Sequence, residues 1–286
     1  MSASKPQINL EQIIRSSESL PPFPDVMWKV IPLLKRMASV NEIEAVIRYD
    51  QAITTKVLAM SQSTYYARRH AVGSLKDAIV YLGQQQLLQV ILAASSARYF
   101  KSGAEGYDLR EGELWEHAVA TALMTELIGR ALGWKDSLTA YTAGLLHDIG
   151  KTILNYFVEA YFESILALVR EQQVRFIDAE RQVLGIDHQQ LGMIITRRWR
   201  FPEEVVAAIG HHHSPLQATQ HQDLVRIVYV ANRMVSALGI GCGVDGFMQP
   251  NQDQVFADLG INMRTTEKLL ADLAVALQEV RQFLNS

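Results

Sequence analysis

Apolar residues recur at three- and four-residue spacing along almost the whole chain, and no segment alternates apolar and polar residues as a half-buried strand would. Val26, Val30, Leu33, Leu34 and Met37 form one such stripe, and Leu87, Leu88, Val90, Ile91 and Leu92 a denser one. Val225, Val228, Tyr229, Asn232 and Val235 form a third. Stripes of this period are buried helix against helix, so the expected fold is all-α, a multi-helix bundle with short antiparallel connections. At 286 residues the chain can build one large core or two smaller ones.

Punctuation divides this pattern. Residues 1–19 form an N-terminal arm or peripheral helix, with Leu10, Ile13 and Ile14 at helical spacing. In Leu20-Pro21-Pro22-Phe23-Pro24 the prolines forbid helix and fix a stiff, extended entry segment. Residues 20–105 read as an N-terminal helical subdomain, with Pro32 expected to kink its first helix. Asn41 and Glu44 form a capping-box-like start, Ser74 and Asp77 another, and Gly83 takes the left-handed position that ends a helix. His70 falls in a polar turn. The segment from Lys101 to Glu113, rich in glycine and charge, reads as a linker into a second helical subdomain over residues 106–240. There Pro202 is expected in a helix's first turn. A glycine-rich loop and a final pair of helices fill residues 241–286.

Composition narrows the partners. A net charge of −3 and a pI near 6.2 offer no electrostatic reason to expect nucleic acid. Arg197, Arg198 and Arg200 read as a solvated helix end. One cysteine, Cys242, excludes an internal disulfide and a thiolate zinc cage and suits a reducing compartment. There is no signal-peptide pattern and no apolar run of the ~18 residues a membrane span needs, so the expectation is cytoplasmic, without a membrane partner.

The chemistry concentrates at Ala143-Gly-Leu-Leu-His147-Asp148-Ile-Gly150-Lys151, an apolar run that ends in two metal-compatible side chains. Neighbours on a continuous helix point about 100° apart, so His147 and Asp148 share a centre only if the chain turns there, a freedom Gly150 would supply. His117, His188 and the triplet His211, His212 and His213 sit at other helix ends or faces. Imidazole and carboxylate donors without thiolate suit zinc, iron, manganese or nickel. Any one of these histidines alone is more often a hydrogen-bonded core or surface residue, and spacing leaves open whether the set shares a pocket.

These residues, with the landmarks around them, carry a resemblance. They include the Leu-Pro-Pro-Phe-Pro start, Asp50 with Thr54-Thr55-Lys-Val-Leu, Ala78-Ile79 with Leu82-Gly83, and Trp115-x-His117. Gly144-Leu-Leu-His-Asp-Ile-Gly-Lys follows, then Glu180, Gly185-x-x-His188, Trp199-x-x-Pro202 and a His-His before Pro215. In this order they resemble the HDOD family, the HD-related output domain of bacterial signalling proteins, within the HD phosphohydrolase superfamily and related to the HD-GYP phosphodiesterases. The resemblance implies one or two divalent ions held by His117, His147 and Asp148, joined by His188, His212 and His213. The distal Asp of the HD pattern is replaced by Asn232, which offers a neutral oxygen, and Ser214-Pro215-Leu216-Gln217 stands where a Gly-Tyr-Pro loop would be.

Three functions follow from that resemblance. The first is a non-catalytic signalling module with a degenerate metal site, acting on a signalling protein partner or a nucleotide-type ligand. The second is a metal-dependent phosphohydrolase acting on a nucleotide or cyclic nucleotide, in which Asp148 serves the reaction and Lys151 stabilises the phosphate. The third is a helical scaffold that binds through Leu20–Pro24. The expected input arrives in trans, and the oligomeric state is left open.

Overall fold

The structure is a computed structural model that describes residues 10–61, 72–100, 102–246 and 253–284; the polar turn with His70 lies outside the described residues. The helices are α1 (Leu10–Glu18), α2 (Asp25–Lys35), α3 (Val40–Ile47), α4 (Gln51–Ser61), α5 (Leu75–Phe100), α6 (Glu113–Ala131), α7 (Ser137–Leu146) and α8 (Lys151–Ala160). They continue with α9 (Phe162–Gln172), α10 (Phe176–Leu184), α11 (His188–Arg198), α12 (Glu203–His211), α13 (Gln222–Ala237), α14 (Asp253–Asp258) and α15 (Met263–Leu284). Among the described residues there is no strand, only an isolated bridge between Ala104 and Leu109. The fold is all-α, and no single described helix is long and apolar enough to cross a membrane.

Local chemistry sets the helix ends. The capping box of α3 lies two residues before the expected Asn41: Ser39 Oγ accepts from the Glu42 amide, and Glu42 Oε2 accepts from the Ser39 amide at 3.0 Å. Ser39 is the residue in extended conformation there, and Glu44 instead pairs with Arg48 at 3.2 Å. Ser74 caps Asp77 as expected, and α5 breaks at Gly83, whose φ of 72° suits glycine. Pro32 lies inside α2, and Pro202 stands one residue earlier than expected, as the extended N-cap of α12. A second capping box, Asp187 with Gln190, starts α11 and makes His188 its first residue.

One hydrophobic cluster runs from Ile13 to Val228 through α1–α13. A second joins α6 and α13 to α14 and α15 through Met124, Ile128, Met234, Val255 and Leu273. Helix α6 packs against α7, α13 and α15 and is the axis of the molecule. Of the two readings of the N-terminal segment, the described part is the helix: Ile13 is fully buried, and α1 packs on α8 and α11. The stretch before α6, read as a linker, packs inward through the core residues Tyr107 and Leu109. The Pro-rich segment lies across the end of α5, where Tyr99 Oη donates to the Pro22 carbonyl at 3.0 Å and Arg98 donates to it at 2.6 Å.

Phe23 anchors that segment. It is 2% exposed and its ring meets Trp28, Tyr99, Trp199 and Phe201 at centroid distances of 5.1–6.3 Å, so one side chain ties α2, α5 and the start of α12 together. Truncating it removes a full aromatic burial and leaves a cavity that rigid neighbours cannot fill. Phe23→Ala is expected to lower stability by about 3 to 5 kcal/mol in urea unfolding; a loss below about 1 kcal/mol would show that the segment does not hold the bundle together.

Candidate metal centre

The donors arrive from helix ends. His117 lies in the early turns of α6, and His147 and Asp148 occupy the turn between α7 and α8. That turn is tightened by i→i−3 hydrogen bonds, Ile149 amide to Leu146 carbonyl at 3.0 Å and Lys151 amide to Asp148 carbonyl at 2.9 Å, which bring both side chains to one side. Gly150 serves this turn differently from expectation. Its backbone is ordinary right-handed helical, but a Cβ there would fall on the carbonyl oxygen of His188. The missing side chain lets α11 approach. His188 opens α11, while His212 and His213 close α12; His211 is partly exposed and outside the cluster.

Asp148, fully buried, is the hub. Its Oδ2 lies 3.3 Å from His147 Nε2 and 3.8 Å from His117 Nε2, and its Oδ1 lies 3.4 Å from His212 Nε2 and 3.8 Å from His188 Nε2. Two overlapping donor groups result: His117, His147 and Asp148 in one, and Asp148, His188, His212 and His213 in the other, each with ligand atoms within 4.8 Å of one another.

Hydrogen bonding fixes which ring nitrogen is free. Nδ1 of His117, His147 and His212 faces the carbonyl oxygens of Ile240, Gly144 and Ile209 at 2.7–2.8 Å, and Nδ1 of His188 faces Glu180 Oε2 at 2.8 Å. These partners only accept, so each Nδ1 carries a proton and leaves its Nε2 facing inward, as a lone pair in the neutral ring of His212. Nε2 of His147, His188, His212 and His213 and Oδ1 of Asp148 are buried with no hydrogen-bond partner. Lone pairs facing a carboxylate repel unless a cation lies between them. The donor set therefore fits a divalent ion, with imidazole and carboxylate donors that suit iron, manganese, zinc or nickel.

Charge agrees with this arrangement. Burial, reinforced by neighbouring His147, lowers His117 to a pKa of about 4, and burial likewise lowers His212 to about 4 and His213 further. At neutral pH these rings are uncharged ligands. Burial alone would raise Asp148, but His147 and Lys151 outweigh it and hold the carboxyl well below the usual carboxylate range. For His188 burial opposes protonation, and Glu180 more than compensates.

Asn232, on α13, places Oδ1 3.0 Å from His117 Nε2 and also accepts from Ser236 Oγ at 3.3 Å. It thus stands beside the first donor group as a neutral oxygen. Lys151 does not face open space. Its Nζ donates to Asp148 Oδ2 and to Asp245 Oδ2, each at 2.7 Å, and lies 5.3 Å from the centre of the Tyr107 ring. The cavity beside the cluster, lined by Arg175, His188, His213, Tyr229 and Asp245, measures only about 10 Å³, room for about one water.

Three residues of this site carry no role in the sequence reading. Glu180, fully buried on α10, orients His188, and Tyr107 Oη donates to its other oxygen at 2.6 Å. Asp245 comes from a loop that reads as coil. In the sequence Glu180 stands out only as a landmark of the resemblance, a carboxylate eight positions before a helix-opening histidine.

An all-helical bundle with a buried His/Asp cluster at its helix ends defines an HD-type module. The family model for the HDOD domain matches residues 20–215. This chain belongs to the HDOD family. A Treponema pallidum protein of uncharacterised function is 25% identical over 203 residues, covering 69% of this chain and 38% of that protein. Ribonuclease Y of Thermus thermophilus is 32% identical over 100 residues, covering 35% of this chain and 12% of the enzyme, so the chain spans well under half of either relative. An HDOD domain protein of unknown function from Geobacter sulfurreducens superposes with a TM-score of 0.73 at 24% identity, covering 97% of this chain and 99% of that one. A provisionally named phosphohydrolase from Shewanella amazonensis gives 0.72 at 20% identity, covering 95% and 97%. A provisionally named signal transduction protein from Marinobacter aquaeolei also gives 0.72, at 19% identity, covering 99% of this chain and 67% of that one. At these identities the structures share the fold.

The lowered histidines set a pH dependence for the chelator-treated protein. His117 and His212 bind protons near pH 6.5 when unfolded but only near 4 when folded, so the unfolded chain binds more protons between those values. Stability is complete above pH 6.5 and is lost as pH falls toward 4, with the raised His188 offsetting part of the loss. Urea unfolding is expected to show a drop of about 3 kcal/mol from pH 7 to pH 5. A flat profile would mean that these rings are not held neutral.

Proposed function

We propose that this chain is a bacterial cytoplasmic regulatory module whose metal centre is structural and whose output runs through a signalling protein or small-molecule partner. The observation that carries this reading is the closure of the site: Lys151 is clamped between Asp148 and Asp245, and the adjoining space admits about one water. A nucleotide diester needs several hundred cubic ångströms. The lone Cys242 is consistent with a reducing compartment, and the acidic net charge favours a protein or small molecule over nucleic acid. In this reading residues 20–105 and 106–240 are the two working halves.

His117, His147 and Asp148, and Asp148 with His188, His212 and His213, are the residues that would hold one or two ions. A divalent ion there supplies charge that offsets the facing acceptors, and in an open site it would lower the pKa of a bound water. The protein's own contribution is to hold His117, His212 and His213 neutral, keep Asp148 ionised and exclude solvent. A phosphohydrolase acting on a nucleotide is the second reading, favoured by one observation: Asp148 lies within reach of both donor groups, as an enzyme with two ions would need.

Metal analysis of untagged protein separates these readings from an empty scaffold. The native chain is expected to carry about half an equivalent or more of a transition metal or zinc, and His147→Ala with Asp148→Ala to carry none. Asn232→Asp, which restores a charged donor, is expected to raise the content. With added manganese or iron, no p-nitrophenol is expected from bis(p-nitrophenyl) phosphate. Release that disappears in the double variant would overturn the non-catalytic reading.

A further inference from the structure

A cavity with a mostly apolar lining lies remote from the metal cluster. It lies where α2 meets the starts of α7 and α12, and encloses about 260 Å³. Trp28, Ile31 and Phe201 form its apolar wall, with the Trp28 and Phe201 rings edge to face at 5.1 Å. Lys35, Arg200 and Asp136 are the charged groups in its lining.

The charges are unbalanced. Both oxygens of Asp136 are used in capping α7, Oδ1 accepting from the Thr139 amide at 3.0 Å and Oδ2 from Thr139 Oγ1 at 2.8 Å. Neighbouring cations are also committed: Arg36 pairs with Glu42, and Arg197 with Glu203. Among the described residues, Lys35 and Arg200 have no such partner.

The backbone at Arg200 adds an independent observation. α11 ends in a Schellman-type turn, with the Phe201 amide donating to the Thr196 carbonyl at 3.1 Å and the Arg200 amide to the Arg197 carbonyl at 2.9 Å. Arg200 occupies the left-handed position of that turn at φ 64°, where glycine is the usual residue. The chain accepts strain at this point and in return has a guanidinium on the cavity wall. Arg200 is one of five non-glycine residues with positive φ among the described residues, exposed and in the lining of this cavity.

We propose that this cavity binds a small aromatic carboxylate, its ring against Trp28 and Phe201 and its carboxylate between Lys35 and Arg200. The volume lies just below the ~300 Å³ at which sites for drug-sized ligands begin, which favours a one- or two-ring acid over a nucleotide. This site is independent of the metal centre and of whether that centre is catalytic.

The test uses 2-naphthoate as the probe and 2-naphthamide as its uncharged counterpart, with the full chain and isothermal titration calorimetry. Naphthoate is expected to bind saturably at one site, to quench Trp28 emission relative to Trp28→Phe, and to bind at least tenfold more tightly than the amide. Arg200→Gly relieves the left-handed strain, so the variant folds at least as stably while losing the cation. Combined with Lys35→Ala it is expected to weaken naphthoate binding at least tenfold and to leave amide binding unchanged. No binding by the native chain, equal affinity for the two probes, or undiminished naphthoate binding by the double variant would each overturn the proposal.

Discussion

A buried carboxylate surrounded by imidazole lone pairs is the constraint to which the rest of this structure answers. Asp148 has no solvent to share its charge, and an uncompensated buried ion costs several kcal/mol or more. Lys151 neutralises one oxygen. The other oxygen faces the buried, unpartnered Nε2 atoms of His188 and His212, whose Nδ1 atoms each turn to an acceptor behind the ring. Folding therefore brings acceptors together from α6, the α7–α8 turn, α11 and α12, an arrangement that a bound cation completes. The helix ends suit that cation: α7 and α12 present their C-termini, where the backbone dipole favours positive charge.

Selection of the inward-facing rings comes from behind them. Tyr107, whose hydroxyl is kept protonated by burial and by Glu180, donates to Glu180, and Glu180 accepts the Nδ1 proton of His188. The 239–246 loop contributes twice, through the Ile240 carbonyl behind His117 and the Asp245 carboxylate on Lys151. These supports come from distant parts of the chain, and their partners become visible only once the chain is packed. That is why the sequence pattern points to the histidines and not to what orients them.

The all-α class was legible because a helical apolar period holds through nearly every segment, and most helix spans followed from it. His147 and Asp148 were legible because an apolar run that ends in two polar ligand types is chemically unusual, and the proline after the triplet separated His212 and His213 from His211. What was hidden is burial that composition disguises. Glycine and charge near residues 102–113 suggest solvent, yet Tyr107 fills the core there because it has Glu180 to bond. Leu10–Glu18 is too short to declare itself, and Ile13 is buried by α8 and α11 rather than by its own neighbours. Gly150 was read as a hinge, when its function is to leave room for another helix.

Two helices connect the metal centre to the cavity at α2. α7 starts beside the cavity at Asp136 and ends at His147; α12 starts there after Phe201 and ends at His212. A nine-residue helix is about 14 Å long and does not compress. Close packing binds each to a neighbour, since Gly144 lies against the α6 backbone at Ala122 and Gly192 of α11 lies against Ile209 of α12. Displacing the start of α7 or α12 therefore moves donors that belong to the same cluster, together with the helices that carry His117 and His188. Coupling between the two sites follows only if these helices have two arrangements that differ in affinity at both ends. The requirement falls on the turn at Asp148: it joins the two donor groups, so a shift of α7 relative to α12 changes the distance between its oxygens and the rings on either side.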